Sequence, residues 1–558
     1  MRIPILLIFA GLAMTSAVAA RPSPCAQDSA DWPQGAGPNG NWSAEGPAPP
    51  LEFSVRSGQG ILWRAPLPET GQGGIAVVGD RVFVACMRPW SAEDALSPEE
   101  AALYSHAIEK RSVAGKHIVA LCLDRATGKQ LWSRPLAGEV PAIYTYPFSD
   151  GTSASPVADG EHVWFTNACG VVACFTHDGE AVWERRYTPT FDGPFNKQFE
   201  PFLVRDESTV PARKVLVHME PVPAPSVEGE AAADEMENRW HVLLGLDAAS
   251  GEVLWRSEDA LTHYNAPTLM QTAAGPAVLH ARGGPHKVPE RPVGISLTAV
   301  TGEAAGRALW RYEESRSKVE GSLQTMAYDE RFVYWLLGKP HGVLVVLDRT
   351  TGEVKREISL QKGVGQTAYD DEAGRLQTTE GVDLERPVMP ARYSLIAANG
   401  HVFFQCYATA WGKPTLGAPY SFARIDPQSG DARYLEVPTD RLWRDDGKPE
   451  HLWRTPRTAR PLNSAGIEVT GDDRCRWDGW DWVFNGSPTA VGERLYFTLA
   501  CGVVYVLDAG EADFGPAALL AVNDLGPAGG VWTANSVSYA GGQLFHRTGA
   551  ELICIGAR

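Results

Sequence analysis

The sequence predicts an all-β fold: an eight-bladed β-propeller of four-stranded blades, its ring closed by the N-terminal strand, with long loop insertions on one face. Three observations predict it. First, a hairpin signature recurs. Residues 120–132 read ALCLDRATGKQLW, an apolar strand, an Asp-led turn ending in Gly, and a second strand headed by Trp. Asp bonds backbone two residues on and Gly tolerates positive φ, so the unit is a β-hairpin with a Trp at a fixed offset. Further copies lie at 246–255, 347–356 and 425–434, a shortened one at 176–183, and weaker ones at 301–310 and 506–513. Such recurrence marks a repeat architecture. Second, an apolar run, a Gly turn and an aromatic-rich strand precede the copies, as at 156–165 and 488–497. Each repeat therefore holds four strands, a to d, which is a propeller blade. Third, the chain ends are complementary. The last repeat stops at Ile555 without a d strand, and 61–66 is a d strand with no a, b or c before it. Pairing them removes the open sheet edges.

Taken in order, Met1-Arg2, the apolar run 3–14 and Ala17-Val18-Ala19-Ala20 predict a signal peptide over 1–20. Its apolar core is too short for a permanent span, and no later segment is long enough for one. Cys25 lacks a lipid-attachment context. A periplasmic or secreted protein is expected. Residues 21–59 form an irregular strap, rich in Gly and Pro and packed by Trp32 and Trp42; 60–558 form the propeller. The a strands are expected to begin near Ile75, Ser155, Glu200, Asn265, Gln324, Ser394, Ser487 and Ser536.

Blade one is interrupted between b and c. There Ser97 caps a helix, Pro98 opens it and Glu99 and Glu100 face its positive end; it is expected to run to about Lys110. Blade three carries an acidic, Pro- and Ala-rich insert at 220–238, expected to be a loop. Shorter inserts fall at 282–293 and 408–420, and the largest at 438–484, between blades six and seven. The long inserts are b–c or d–a connections, which share one face of the disc. That face is the expected working face, since loops on a rigid scaffold carry function.

The net charge of −17 argues against nucleic acid and anionic membrane surfaces as partners. A single domain enlarged by repetition, and a monomer, are expected. Of nine cysteines, Cys86 and Cys122 lie on neighbouring strands, and Cys169 and Cys174 flank one hairpin. In a disulfide-permitting compartment each pair would add about 2–4 kcal/mol if bonded. The alternative is buried thiols acting as small hydrophobes. No C-x-x-C-H haem motif is present.

The run Asp124-x-x-Thr127-Gly128-Lys129-x-x-Trp132 resembles the docking motif of the pyrroloquinoline-quinone (PQQ) repeat propellers, across residues 60–555. That superfamily includes quinoprotein alcohol dehydrogenases and the propeller lipoprotein of the outer-membrane barrel-assembly machinery. The motif is specific for fold, not activity. The resemblance implies packing between blades for Trp132, Trp183, Trp255 and Trp310. It also directs attention to the channel at the a-strand starts: Gln72, Ser153, Glu200, Asn265, Gln324, Arg392, Asn485 and Asn535. In the dehydrogenases this region holds PQQ, Ca²⁺ and a catalytic Asp. Here Glu200 and Asn265 are the candidate metal ligands, as hard oxygens. Arg392, able to pair with a carboxylate, is the candidate cofactor contact, with Gln324 and Asn485. Residues 485–488, Asn-Gly-Ser-Pro, resemble a segment of those enzymes. Two features depart from the pattern: no channel Asp aligns as a base, and no two cysteines are adjacent. The alternative is a polar ring around a water-filled channel.

In the large insert, Trp477, Trp480 and Trp482 are candidates for stacking on sugar or aromatic rings, or for packing as a lid. Among scattered histidines, His263 and His546 are candidate ligands or bases. No nucleophile elbow or phosphate loop is present. The sequence thus points to an exported binding or assembly module for a protein or glycan, needing no cofactor. The first alternative is a PQQ- and Ca²⁺-dependent dehydrogenase of alcohols or sugars. The second is a propeller-type polysaccharide lyase or hydrolase.

Overall fold

The computed structural model describes residues 30–557 apart from 104–111, 145–149, 190–198, 224–238, 262–265, 283–292, 317–325, 339–340, 386–387, 389, 391–393, 407–408, 411–412, 415–419, 454–461, 467–485 and 528–529. Within it the hairpin repeats assemble into eight blades. The a strands are Ala76–Val78, Val157–Ala158, Phe202–Asp206, Thr268–Thr272, Ala327–Tyr328, Ile396–Ala398, Thr489–Val491 and Ser538–Ala540. Each begins within three residues of its expected position. The N-terminal strand Ile61–Pro66 pairs antiparallel with Glu551–Ile555 and completes blade eight, with Arg64 opposite Ile553. Blades three and four are joined into one sheet through the single pair Leu261–Arg282.

The Trp at the fixed offset explains how the blades dock. Each indole reaches the Gly turn of the next blade and donates Nε1–H to a turn carbonyl. Trp63 bonds Arg125 O at 2.9 Å, Trp132 bonds His177 O at 2.7 Å, Trp183 bonds Ala248 O and Trp310 bonds Arg349 O, both at 3.0 Å. The turn glycines Gly128, Gly179, Gly251 and Gly352 have positive φ, and a Cβ on any of them would lie under 3.0 Å from the indole. Gly is thus required there twice over, by conformation and by contact. Trp255 packs likewise on Gly306. Blade five carries Arg356 in place of Trp, and its guanidinium bonds Pro427 O and Gln428 O in the turn of blade six.

The strap does more than pack. Trp32 and Val77 exchange backbone hydrogen bonds at 2.8 and 2.7 Å. Pro33 O accepts from Ala158 N at 2.7 Å, Gln34 Oε1 from Leu203 N at 3.0 Å and Gly40 O from Leu269 N at 2.9 Å. Asn41 bonds the Tyr328 hydroxyl, Ser43–Ala44 pairs parallel with Ala490–Val491, and Pro47 O accepts from Tyr539. The segment coils inside the ring along the a strands of blades one to five, seven and eight. Trp32, Ala36 and Trp42 are buried by it.

Of the two readings of the cysteine pairs, the structure shows the buried thiols. Cys86, Cys122, Cys169 and Cys174 are buried and not joined in disulfides, and the same holds for Cys406, Cys501 and Cys554. Cys122 lies opposite Phe83, while Cys86 lies opposite Val119. The two side chains therefore point to opposite faces of blade one, into different core clusters. Cys169 and Cys174 likewise enter different clusters.

The blade-one helix is present as Pro98–Leu103; its expected continuation lies outside the described residues. One d–a connection does not build up the face. Val364–Asp370 and Arg375–Val382 form a hairpin that pairs parallel with the d strand Ala432–Glu436, widening blade six to six strands at the perimeter. The start of the large insert forms a second hairpin, Asp440–Trp443 with Pro449–Leu452. Arg441 ties it to Val522 O of blade seven, and Trp453 stacks on Tyr369 at 4.6 Å and 15°.

Candidate functional site at the channel mouth

The link into blade one, Gly71-Gln72-Gly73-Gly74, meets the link into blade two, 150–155, backbone to side chain. Gln72 N–H donates to Thr152 Oγ1 at 2.8 Å, and Gly74 N–H to Ser155 Oγ at 2.7 Å. A Cβ on Gly73 would sit 2.0 Å from Thr152 O, so only Gly permits this approach. Asp150 organises its own link. Its Oδ1 accepts from Thr152 N–H at 2.7 Å and Thr152 Oγ1–H at 2.6 Å, and its backbone N–H donates to Ser153 Oγ. Asn535 Nδ2 donates to Gln72 O at 3.1 Å.

Beneath these links lies Arg547, fully buried at the end of the b strand of blade eight. Its Nη1 donates to Ala85 O at 2.6 Å and Gly73 O at 3.2 Å, and Nη2 lies 3.6 Å from Cys86 Sγ. It makes no ion pair among the described residues. Burial pushes the Asp150 carboxyl up; the Thr152 bonds and the Arg547 charge oppose the rise. Burial also pushes up the Cys86 thiol, against the pull of Arg547. The group is a rigid, polar clamp across blades eight, one and two.

Glu200 stands apart from it. Its Oε2 accepts from Ser155 N–H at 3.3 Å and lies against the strap: a Cβ on Gly35 would be 2.2 Å away. Burial pushes its carboxyl up to about 7, with the Ser155 bonds pulling the other way. The shift reports burial outweighing the Ser155 bonds.

Of the expected channel residues, the structure therefore joins Gln72 to Asn535 and Ser153 to Asp150, and sets Glu200 on the strap. Asn265, Gln324, Arg392, Asn485, His263 and the trio Trp477, Trp480 and Trp482 lie outside the described residues. His546 is corrected to a structural role. Its Nδ1 is 3.0 Å from Arg547 O, so it carries the proton there, and Nε2 accepts from Thr498 Oγ1 at 2.9 Å. Burial pushes it down to about 4. Asp150, Thr152 and Arg547 were not anticipated from sequence. The signals were present as the Gly-Gln-Gly-Gly run 71–74 and the Asp-Gly-Thr-Ser run 150–153.

The family model for outer membrane protein assembly factor BamB matches residues 52–221, 115–284 and 239–395, which together run over more than half of the 558 residues. The chain belongs to this PQQ-like repeat propeller family. No curated protein matches this family member in sequence. Among solved structures, a quinohemoprotein alcohol dehydrogenase from Comamonas testosteroni is 13% identical with a TM-score of 0.50, over 95% of this chain and 81% of its own. A europium-containing methanol dehydrogenase is 10% identical with a TM-score of 0.49, over 95% and 99%. BamB from Moraxella catarrhalis is 13% identical with a TM-score of 0.32, over 72% and 96%. At 13% identity the likeness to the first is one of fold.

Of the five residues expected to hold a quinone and Ca²⁺ in this PQQ-like propeller, only Glu200 is among the described residues, and it is a poor Ca²⁺ ligand as placed. Ca²⁺ takes six to eight oxygen ligands, including ionised carboxylates. Glu200 is turned onto the strap with a carboxyl near 7, and no described group of three His, Cys, Asp or Glu residues is arranged to hold a metal. Among the described residues no helix is long and apolar enough to cross a membrane.

Proposed function

We propose that this PQQ-like propeller is an exported binding or assembly module. Its insert-rich face engages a protein or glycan, with Trp477, Trp480 and Trp482 as the stacking residues. The observation that carries the reading is the strap. It coils inside the ring and packs Gly35 onto Glu200, using the channel for internal structure. Binding then falls to the loops of the built-up face, and an exported monomer needs no cofactor for it.

The test is a glycan array and an affinity capture from periplasmic extract, run with the mature protein and with a variant carrying Ala at 477, 480 and 482. A partner or glycan retained by the parent and lost by the variant is the expected result. Calorimetric titration with PQQ and Ca²⁺ addresses the dehydrogenase reading suggested by the alcohol dehydrogenase neighbours. Saturable heat that disappears in Glu200→Ala would overturn the proposal.

A further inference from the structure

Between blades two and three, on the side where the a strands begin, lies a cavity of about 30 Å³. Its wall is mostly apolar, with Phe199, Met219 and Pro221 from blade three. Its polar lining is Thr166 of blade two, Tyr187 just past the d strand of blade two, His218 on the b strand Arg213–Pro223 of blade three and His241 on the neighbouring c strand. His218 is 3% exposed, and among the described residues neither ring nitrogen has a hydrogen-bond partner. A buried imidazole left so loses its hydrogen bonds to water without replacement, so an occupant that meets it is favoured.

The surroundings fix which occupant fits. Glu220 is held by Arg185 through two 3.0 Å bonds and lies 3.8 Å from His218 Nε2. This carboxylate favours the proton on Nε2 and leaves the Nδ1 lone pair for an occupant. Tyr187 meets the imidazole edge-on at 5.5 Å, restricting the ring. Burial pushes His218 down to about 4, so it is an uncharged acceptor at neutral pH. The Arg185 and Glu220 charges satisfy each other, which disfavours an ionic ligand. A cavity of this size takes about two water-sized groups, one carbon and one oxygen.

We infer that this cavity binds the hydroxymethyl group of a neutral sugar or polyol, its CH₂ against the apolar wall and its O–H donated to His218. The inference rests on the glycan arm of the proposed function and places one subsite of that binding at the blade-two/blade-three seam.

Calorimetry with methyl β-glucoside and methyl β-xyloside tests it on the full mature chain, since the xyloside lacks only the hydroxymethyl group. Glucoside binding at least tenfold tighter than xyloside binding is expected. His218→Phe should abolish the difference, and His218→Asn, whose side-chain oxygen replaces Nδ1 as acceptor, should keep it. Equal binding of the two sugars, binding of neither because water alone fills the cavity, or full preference in His218→Phe would each overturn the inference. An intact glycan-array profile for His218→Phe, alongside loss of signal in the triple Trp variant, would remove this subsite while leaving the loop face as the binding surface.

Discussion

Glu200, half-buried against the strap, and His546, fully buried, are titratable groups with opposite effects on stability. The Glu200 carboxyl is raised from its usual 4.5 to about 7, so the folded chain holds its proton more tightly than the unfolded chain does. As pH rises from 4.5 to 7 the unfolded state ionises first and stability is lost, by about 3.5 kcal/mol at most on 1.4 kcal/mol per unit. Glu200→Gln keeps the contact with Ser155 and removes the proton linkage. Urea melts should therefore show the variant gaining on the parent between pH 5 and pH 8; a constant gap would mean the carboxyl is not raised. His546 runs the other way. Lowered from 6.5 to about 4, it stays neutral in the fold while the unfolded chain protonates, so stability is lost as pH falls from 6.5 to 4. His280, bonded to Thr298 and also lowered to about 4, adds a second such term. His280→Gln should flatten the acid limb of stability against pH; an unchanged limb would place the acid sensitivity elsewhere. None of these roles was legible in sequence. Glu200 was legible as a channel position, but the strap that turns it away from a metal role touches it from 165 positions earlier, through Gly35.

At the scale of the element, the Trp–Gly dock joins one blade to the next. Trp132 is buried on Gly179, and Phe83, Phe165 and Phe175 surround it at ring-centroid distances of 6.0–6.2 Å. Trp132→Ala should cost about 3–5 kcal/mol, as for other large-to-small core changes. Denaturant midpoints would read it, and a loss below about 1 kcal/mol would mean the seam closes without the indole. These elements were legible because the motif combines turn chemistry with an offset repeated along one chain: the Asp, the Gly and the Trp all act locally or one blade away. The hairpin 364–382 was not legible. Its second strand, Arg375–Val382, is exposed along most of its length and carries no apolar alternation to announce it. The choice between disulfides and buried thiols stayed open in the sequence for a related reason. Neighbouring strands place cysteines near each other in sequence terms, but strand alternation decides the face, and register had to be known to three residues.

At the scale of the molecule, two N-terminal segments do different work. Ile61–Pro66 closes the ring as the last strand of blade eight, reinforced by Arg64 bonding Glu551 through both nitrogens at 2.7 and 2.6 Å. The strap 31–47 holds the inner strands together without belonging to a blade, except where two residues extend blade seven. Removing them should therefore have different consequences. A chain beginning at residue 51 keeps the closing strand and loses the strap. It should retain β-rich circular dichroism and run as a monomer, with a lowered melting temperature, because each blade keeps its four strands and the Trp and Arg356 docks between blades are untouched. A chain beginning at residue 68 also loses the closing strand and exposes the edge of Glu551–Ile555, an apolar strand open to pairing with other chains. It should elute as oligomer or aggregate. If the first truncation aggregated as readily as the second, the strap rather than strand closure would be what holds the ring shut. The channel would then need its internal occupant for the fold itself, before any question of what the outer face binds.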